Sequence, residues 1–202
     1  MRINVCGVRL HIGFLFAFSV CFVLTVAEDT VVRMAVVFSL LHECGHLLSD
    51  FLFGCKPRAV SLGLFGMTIT RAEDLTLSYR QEICSALAGP FVNLVLAALF
   101  ISLYLWQRTN TFLTAAVVNL SIFAFNAMPV FSLDGGRALE AFLRAHITDP
   151  HHQVTIQKAV SLLFIAVCMG YGFYVLLQSG GNFSLLLLCA YLIVMLFWKC
   201  GE

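Results

Sequence analysis

Long apolar stretches, separated by short polar segments, dominate the pattern of residues along this chain. A helix of about 20 apolar residues is long enough to cross the hydrocarbon core of a bilayer. On that measure the pattern predicts about six transmembrane helices, at residues 11–27, 31–53, 78–106, 112–128, 157–178 and 183–198. We therefore expect an all-α polytopic membrane protein that forms a single domain over residues 1–202.

One short segment, between the second and third predicted spans, has a different period. Apolar and polar residues alternate over 60–62 and again over 67–70, on either side of the glycine-bounded turn at 63–66. This alternation predicts a short, membrane-associated β-hairpin within 57–71. Since an open strand edge cannot face lipid, the hairpin should lie against protein or line a wet cavity, where it could bind an extended peptide. An ordinary interfacial loop is the alternative interpretation.

The composition agrees with a membrane setting. Of the 202 residues, 60% are hydrophobic and only 11% are charged, which is outside the usual range of soluble domains. The net charge is +1, and no basic run or basic face indicates a nucleic-acid partner. The first apolar stretch lacks a clear cleavage site, so we interpret it as a retained helix in the lipid bilayer and not as a signal peptide.

The basic residues predict an orientation in the membrane. With six spans and a cytoplasmic amino terminus, ten Lys and Arg residues fall on the inner side and only Arg33 and Arg108 on the outer side. The inner residues are Arg2, Arg9, Lys56, Arg58, Arg71, Arg80, Arg137, Arg144, Lys158 and Lys199. This positive-inside bias predicts a multi-pass protein of a bacterial cell membrane with both termini in the cytoplasm.

The most informative motif, His42-Glu43-Cys44-Gly45-His46, lies inside the second predicted span. Histidines at i and i+4 of a helix project from one face and can bind one Zn²⁺, and the adjacent Glu43 can act on a water at the metal. Such polar residues are costly in a bilayer unless they face a protein interior that holds something. Cys44 should point away from the face that the two histidines share.

A third ligand is needed, because a catalytic zinc site usually has three protein ligands and one open position. The segment 126–137, after the fourth predicted span, is the obvious place to find it. Pro129 ends a helix there, and Asp134 offers a carboxylate. Asp134 would complete a site of two histidines and one aspartate; alternatively, it only caps the helix that follows.

Three sequence elements taken together resemble the site-2 protease family of intramembrane zinc metalloproteases. They are His42-Glu43-x-x-His46, then Ala88-Gly89-Pro90-Phe91-Val92-Asn93, and finally Asn126-x-x-Pro129 leading to Leu133-Asp134-Gly135-Gly136. The resemblance covers roughly residues 31–144, and the short six-span layout is most similar to the sporulation-type bacterial branch of the family.

The resemblance implies roles for the site residues. It implies that His42, His46 and Asp134 bind one zinc ion. It also implies that Glu43 is the general base and that Asn126 helps to bind the substrate backbone or the oxyanion. The expected function is intramembrane proteolysis by a zinc metalloendopeptidase, which cleaves a membrane-spanning or membrane-associated protein and releases the product towards the cytoplasm. A membrane-tethered transcription-factor precursor as substrate rests on analogy with the sporulation branch alone.

Two other functions could use the same ligands. One is a membrane zinc transporter or sensor, and the other is a non-catalytic scaffold. A transporter needs ligands spread along a polar path and has no reason for Glu43 beside two histidines, whereas a scaffold would be expected to have lost Glu43 or a ligand.

For five further polar residues we favour a structural role. Asn93 could steady the zinc site, but an interhelical hydrogen bond without a catalytic role is favoured. Arg137 could form a salt bridge or reach lipid headgroups. We place His146, His151 and His152 in a solvated polar loop and not in a second metal site.

Overall fold

The computed structural model of the chain describes residues 2–5, 8–12, 25, 28–55, 57–63, 66–71, 77–181 and 183–199. These residues fall into two compact units, Met1–Ala124 and Phe125–Glu202. The described strands are β1 (Arg2–Val5), β2 (Val8–Ile12), β3 (Pro57–Gly63) and β4 (Gly66–Arg71). The described helices are α1 (Thr30–Leu52), α2 (Tyr79–Gln107), α3 (Asn110–Asn126), α4 (Asp134–His146), α5 (Pro150–Ser179) and α6 (Ser184–Lys199).

Of the helices α1 to α6, all except α4 lie near the second to sixth predicted spans. Among the described residues, α1, α2 and α5 are long and apolar enough to cross a membrane, and α3 and α6 are shorter apolar helices. The first predicted span, 11–27, lies outside the described residues except at Thr25 and at its first two positions, which belong to β2.

Helix α5 begins at Pro150 and not near residue 157 as the apolar pattern predicted. The side chain of Asp149 caps it by accepting a 2.9 Å hydrogen bond from the backbone nitrogen of His151. Proline is suited to the first helical position because its nitrogen needs no hydrogen-bond partner there. Asp149 and Pro150 therefore start the helix in the polar segment that precedes its apolar stretch.

The four described strands form one sheet in the order β1-β2-β3-β4. Strands β3 and β4, in the segment where the alternating pattern predicts a hairpin, pair antiparallel with Val60 opposite Ile69. Strand β2 pairs antiparallel with β1 and parallel with β3. The predicted helical architecture agrees with the described helices, and β1 and β2 are two strands that were not predicted. The apolar–polar alternation of residues 2–5 and 8–12 was the signal for them.

Helices α1 and α2 pack closely in the first unit. A Cβ added to Gly45 of α1 would lie 2.8 Å from Val92 Cγ2 and 2.9 Å from the Ala88 carbonyl oxygen on α2, so no side chain fits at this crossing. Helix α2 starts with a capping box, in which Ser78 and Gln81 satisfy each other's backbone nitrogens. A buried cluster of Phe38, Ala115 and Val118 joins α1 to α3. These contacts fix the positions of three helices around one polar interior.

The second unit begins at the end of α3, where the chain leaves the helix before α4. Val130 and Leu133, in the connection, pack into a buried apolar cluster with Ile165 of α5 and with residues of α6. Close backbone approach is required here, because a Cβ on Gly136 would overlap the carbonyl group of Val130. The interrupted segment that carries Asp134 is thus anchored by packing.

Candidate metal centre

The structure brings His42 and His46 together on α1. The two residues lie one helical turn apart, and each is only 4% exposed. Their ring centroids are 5.0 Å apart, and their Nε2 atoms face each other at 3.3 Å. The sequence-based expectation of two imidazoles on one buried face agrees with this geometry, and Cys44, which was predicted to point away from that face, is exposed.

The other nitrogen of each imidazole is held by α2. His46 Nδ1 lies 2.8 Å from the Ser85 backbone carbonyl oxygen, and His42 Nδ1 lies 2.7 Å from Asn93 Oδ1. Both partners are oxygens that accept, so the proton of each neutral ring is on Nδ1. Each Nε2 then presents a lone pair, and two lone pairs that face each other favour a cation between them. The donor set therefore fits a metal ion.

A glycine leaves room for such an ion. A Cβ built on Gly89 of α2 would overlap His46 Nε2 and would lie 2.7 Å from His42 Nε2. Gly89 is buried, so any side chain there would fill the space that both nitrogens face. The absence of a side chain at residue 89 keeps this space open for a ligand of the imidazoles.

Two polar residues around His46 were not expected from the sequence. Ser85 Oγ donates a 2.6 Å hydrogen bond to Asp50 Oδ1, and the Asp50 side chain is fully buried. Ser85 thus contacts His46 through its carbonyl group and Asp50 through its hydroxyl group. The spacing of His42, His46 and Asp50 along α1, four residues each, was the available signal for this row.

Asn93 contacts His42 directly, although a role in interhelical bonding alone was favoured from the sequence. Asn93 is fully buried and also donates through Nδ2 to Asn119 Oδ1 at 3.0 Å. It therefore combines both interpretations, since it links helices α2 and α3 and holds a candidate ligand. Glu43 is half-buried on α1, next to the first imidazole.

Asp134 lies in the second unit, at the first position of α4. Leu133 occupies the N-cap position and makes no side-chain capping bond, so Asp134 does not serve as the cap. Its Oδ1 lies 3.6 Å from Arg137 Nη1, which agrees with a salt-bridging Arg137. Asn126, the other predicted site residue of this segment, is the half-buried last residue of α3.

Helix α5 holds the segment that carries Asp134. Ser161 Oγ accepts a 3.1 Å bond from the Phe131 backbone nitrogen and donates to the Pro129 carbonyl oxygen at 3.5 Å. Gln157 Nε2 donates to the Gly136 carbonyl oxygen at 3.1 Å. The buried Ser161 supplies a partner for two backbone groups of the helix interruption, and the buried Gln157 binds the first turn of α4 to α5.

The prediction of a polar loop around three histidines is wrong. His146 is the last residue of α4, and His151 and His152 lie in the first turn of α5. All three are exposed. His152 Nδ1 pairs with Asp149 Oδ2 at 2.6 Å, so this pair serves the start of the helix.

Comparisons with known proteins identify similar sequences. Residues 105–171 match the family model of Peptidase family M50. The chain is 29% identical over 161 residues to stage IV sporulation protein FB of Bacillus subtilis, covering 78% of this chain and 54% of that protein. It is 28% identical over 172 residues to a zinc metalloprotease of Methanocaldococcus jannaschii, covering 78% of this chain and 50% of that one. The chain thus spans about half the length of these curated relatives.

A solved structure has a similar fold. The site-2 protease from Methanocaldococcus jannaschii superposes with a TM-score of 0.61 at 20% sequence identity, over 95% of this chain and 91% of that one. The resemblance to the site-2 protease family that the motifs predict is confirmed by these comparisons.

Proposed function

We propose that this chain, which matches Peptidase family M50 over residues 105–171 and has a fold similar to a site-2 protease, is a zinc metalloendopeptidase that performs intramembrane proteolysis. Its substrate would be a membrane-spanning or membrane-associated protein, and the product would leave towards the cytoplasm. The observation that carries the proposal is the buried imidazole pair, in which both Nδ1 atoms are bound by α2 and both Nε2 atoms face one space beside Gly89.

In the proposal, His42, His46 and Asp134 hold one Zn²⁺. Each residue offers one donor atom, an imidazole nitrogen or a carboxylate oxygen, and zinc accepts both types. Three protein ligands leave one position open for chemistry. The anchoring of the Asp134 segment by Ser161 and Gln157 supports a role that needs a fixed carboxylate.

When bound, the zinc ion would supply a Lewis acid for peptide hydrolysis. Glu43 would accept the proton of the attacking water and later donate it to the leaving amine, a role worth roughly 10²- to 10⁴-fold in rate. Asn126 would donate its side-chain amide to the developing oxyanion or to the substrate backbone, a contact worth about 3 kcal/mol where measured.

A substrate helix hides its amide groups in its own hydrogen bonds, so it must unwind before cleavage. The sheet of the first unit offers an edge strand, β4, that could pair with an unwound segment. Helix-breaking residues near the cleavage site would lower the cost of unwinding. The proposal includes a multi-pass membrane topology with both termini in the cytoplasm, supported by the three long apolar helices and by the distribution of Lys and Arg.

The test uses the full chain purified in detergent, loaded with zinc, and a tagged single-span substrate. The wild type should contain about one zinc ion and should cleave the substrate, whereas Glu43→Gln should keep the zinc and lose cleavage. Cleavage by Glu43→Gln at the wild-type rate would refute the assigned mechanism. Zinc binding without cleavage of any membrane substrate would favour a transporter or sensor instead.

A further inference from the structure

Helix α3 places one fully buried amide behind the candidate metal ligand. Asn119 Nδ2 donates to the Ala115 carbonyl oxygen at 2.9 Å, and Asn119 Oδ1 accepts from Asn93 Nδ2 at 3.0 Å. Asn93 Oδ1 in turn lies 2.7 Å from His42 Nδ1. A continuous row of hydrogen bonds thus runs from the backbone of α3 to an imidazole on α1.

The direction of this row is fixed at its far end. The Ala115 carbonyl oxygen can only accept, so the amide nitrogen of Asn119 must face it and the amide oxygen must face Asn93. That oxygen then requires the amide nitrogen of Asn93, which turns Asn93 Oδ1 towards His42. Because an oxygen faces Nδ1, the imidazole carries its proton there and keeps the lone pair on Nε2.

A flipped Asn93 side chain would lose its favourable contacts with both His42 and Asn119. Its amide nitrogen would face His42 Nδ1, which would move the imidazole proton to Nε2 and remove the lone pair that a metal needs. Its oxygen would face Asn119 Oδ1 and the Phe38 carbonyl oxygen, which Asn93 Nδ2 now contacts at 3.5 Å. Both asparagines are 0% exposed, so water cannot replace these bonds.

We propose that Asn119 is a positioning residue for the metal ligand His42, acting through the amide orientation of Asn93. An apolar helix carries a buried asparagine at a cost, and the neighbouring buried residues of α3, Ala115 and Val118, show that a small or aliphatic residue suits the packing. The proposal rests on the proposed function to the extent that His42 binds zinc.

The experiment measures zinc affinity by chelator competition with the full chain in detergent. Asn119→Leu should weaken binding about 10-fold, within the range of roughly 10- to 100-fold that partners of metal-bound histidines typically show. The matched control is Val118→Ala, the adjacent buried residue of α3, which should lower thermal stability but leave zinc affinity unchanged.

A second variant separates the effect of Asn119 on the amide orientation of Asn93 from its effect on helix packing. Asn93→Asp places a symmetric acceptor beside His42, so no amide orientation remains to be fixed. In that background Asn119 Oδ1 faces a carboxylate oxygen and not an amide donor, so Asn119→Leu should no longer weaken zinc binding. Equal weakening in both backgrounds, or no weakening by Asn119→Leu in the wild type, would overturn the proposal.

The result is distinguishable from failure of the proposed function. A wild type that binds zinc with the expected dependence on Asn119 but cleaves nothing would refute the peptidase and leave the positioning role intact. A wild type that binds no zinc would refute both.

Discussion

Replacement of Gly89 by alanine tests the metal centre most directly. The added Cβ would lie 2.7 Å from His42 Nε2, which is about 0.8 Å short of an ordinary contact of about 3.5 Å, and it would lie closer still to His46 Nε2. The rings would have to retreat from the space they face. Because they are buried and packed, we expect an overpacking cost of about 1–3 kcal/mol.

The retreat matters more for the metal than for stability. Metal–ligand distances tolerate changes of only about 0.2 Å, and a ring displaced by about 0.8 Å also stretches its 2.7 Å bond to Asn93 towards the limit of hydrogen bonding. The methyl group would in addition occupy the space between the two nitrogens. We expect Gly89→Ala to weaken zinc binding by roughly 100-fold or more. This effect is at least as large as that of removing a residue that only hydrogen-bonds a metal ligand.

The assay is zinc content by elemental analysis, with chelator competition, on protein shown to be folded by circular dichroism. Gly170→Ala is the matched control, since a Cβ at Gly170 of α5 meets nothing within 4 Å. That variant should keep its zinc and gain slightly in stability, by about 0.4–1 kcal/mol. A folded Gly89→Ala protein with wild-type zinc affinity would refute the placement of the ion beside the imidazole pair.

Three other predictions address the rest of the molecule. Asp134→Ala should lower zinc affinity, measured by chelator competition, and wild-type affinity would exclude the carboxylate as a ligand. Ser161→Ala should lower the free energy of unfolding by about 1–3 kcal/mol in denaturant titrations, because the hydrogen bond between the Phe131 nitrogen and the Ser161 hydroxyl group is lost; an unchanged midpoint would contradict this. Hydrogen bonds from the His152 side chain and, secondarily, from the His151 backbone lower the pKa of Asp149. The stability difference between wild type and Asp149→Asn should therefore be present above about pH 4 and should vanish as the pH falls through that lowered pKa. A difference that is independent of pH in thermal unfolding would show that the charge of Asp149 does not matter.

Much of the site could be predicted from local sequence. The spacing of His42 and His46 determines their common face in any helix, and the long apolar stretches predict where α1, α2 and α5 run. The roles of Asp134 and Asn126 stay predictions that rest on the resemblance. Local patterns were sufficient wherever one element alone determines the geometry.

The partners of the imidazoles could not be predicted, because they depend on how helices pair. The carbonyl group of Ser85 carries no sequence signal, since every residue has one. Asn93 and Asn119 are separated by 26 residues, and only the packing of α2 against α3 brings their amides together. The start of α5 was missed for a different reason, because the apolar pattern was weighted above the cap formed by Asp149 and Pro150.

Every α2 contact described around the two imidazoles comes from one row of that helix. Ser85, Gly89 and Asn93 recur every four residues, and they meet His46 and His42 in reverse order because the two helices run in opposite directions. A slide of α2 by one residue's rise, about 1.5 Å, would therefore shift both hydrogen-bond acceptors and the glycine gap at once. The axial position of α2 therefore determines the surroundings of both histidines together, and a displacement of this helix along its axis would change both at the same time.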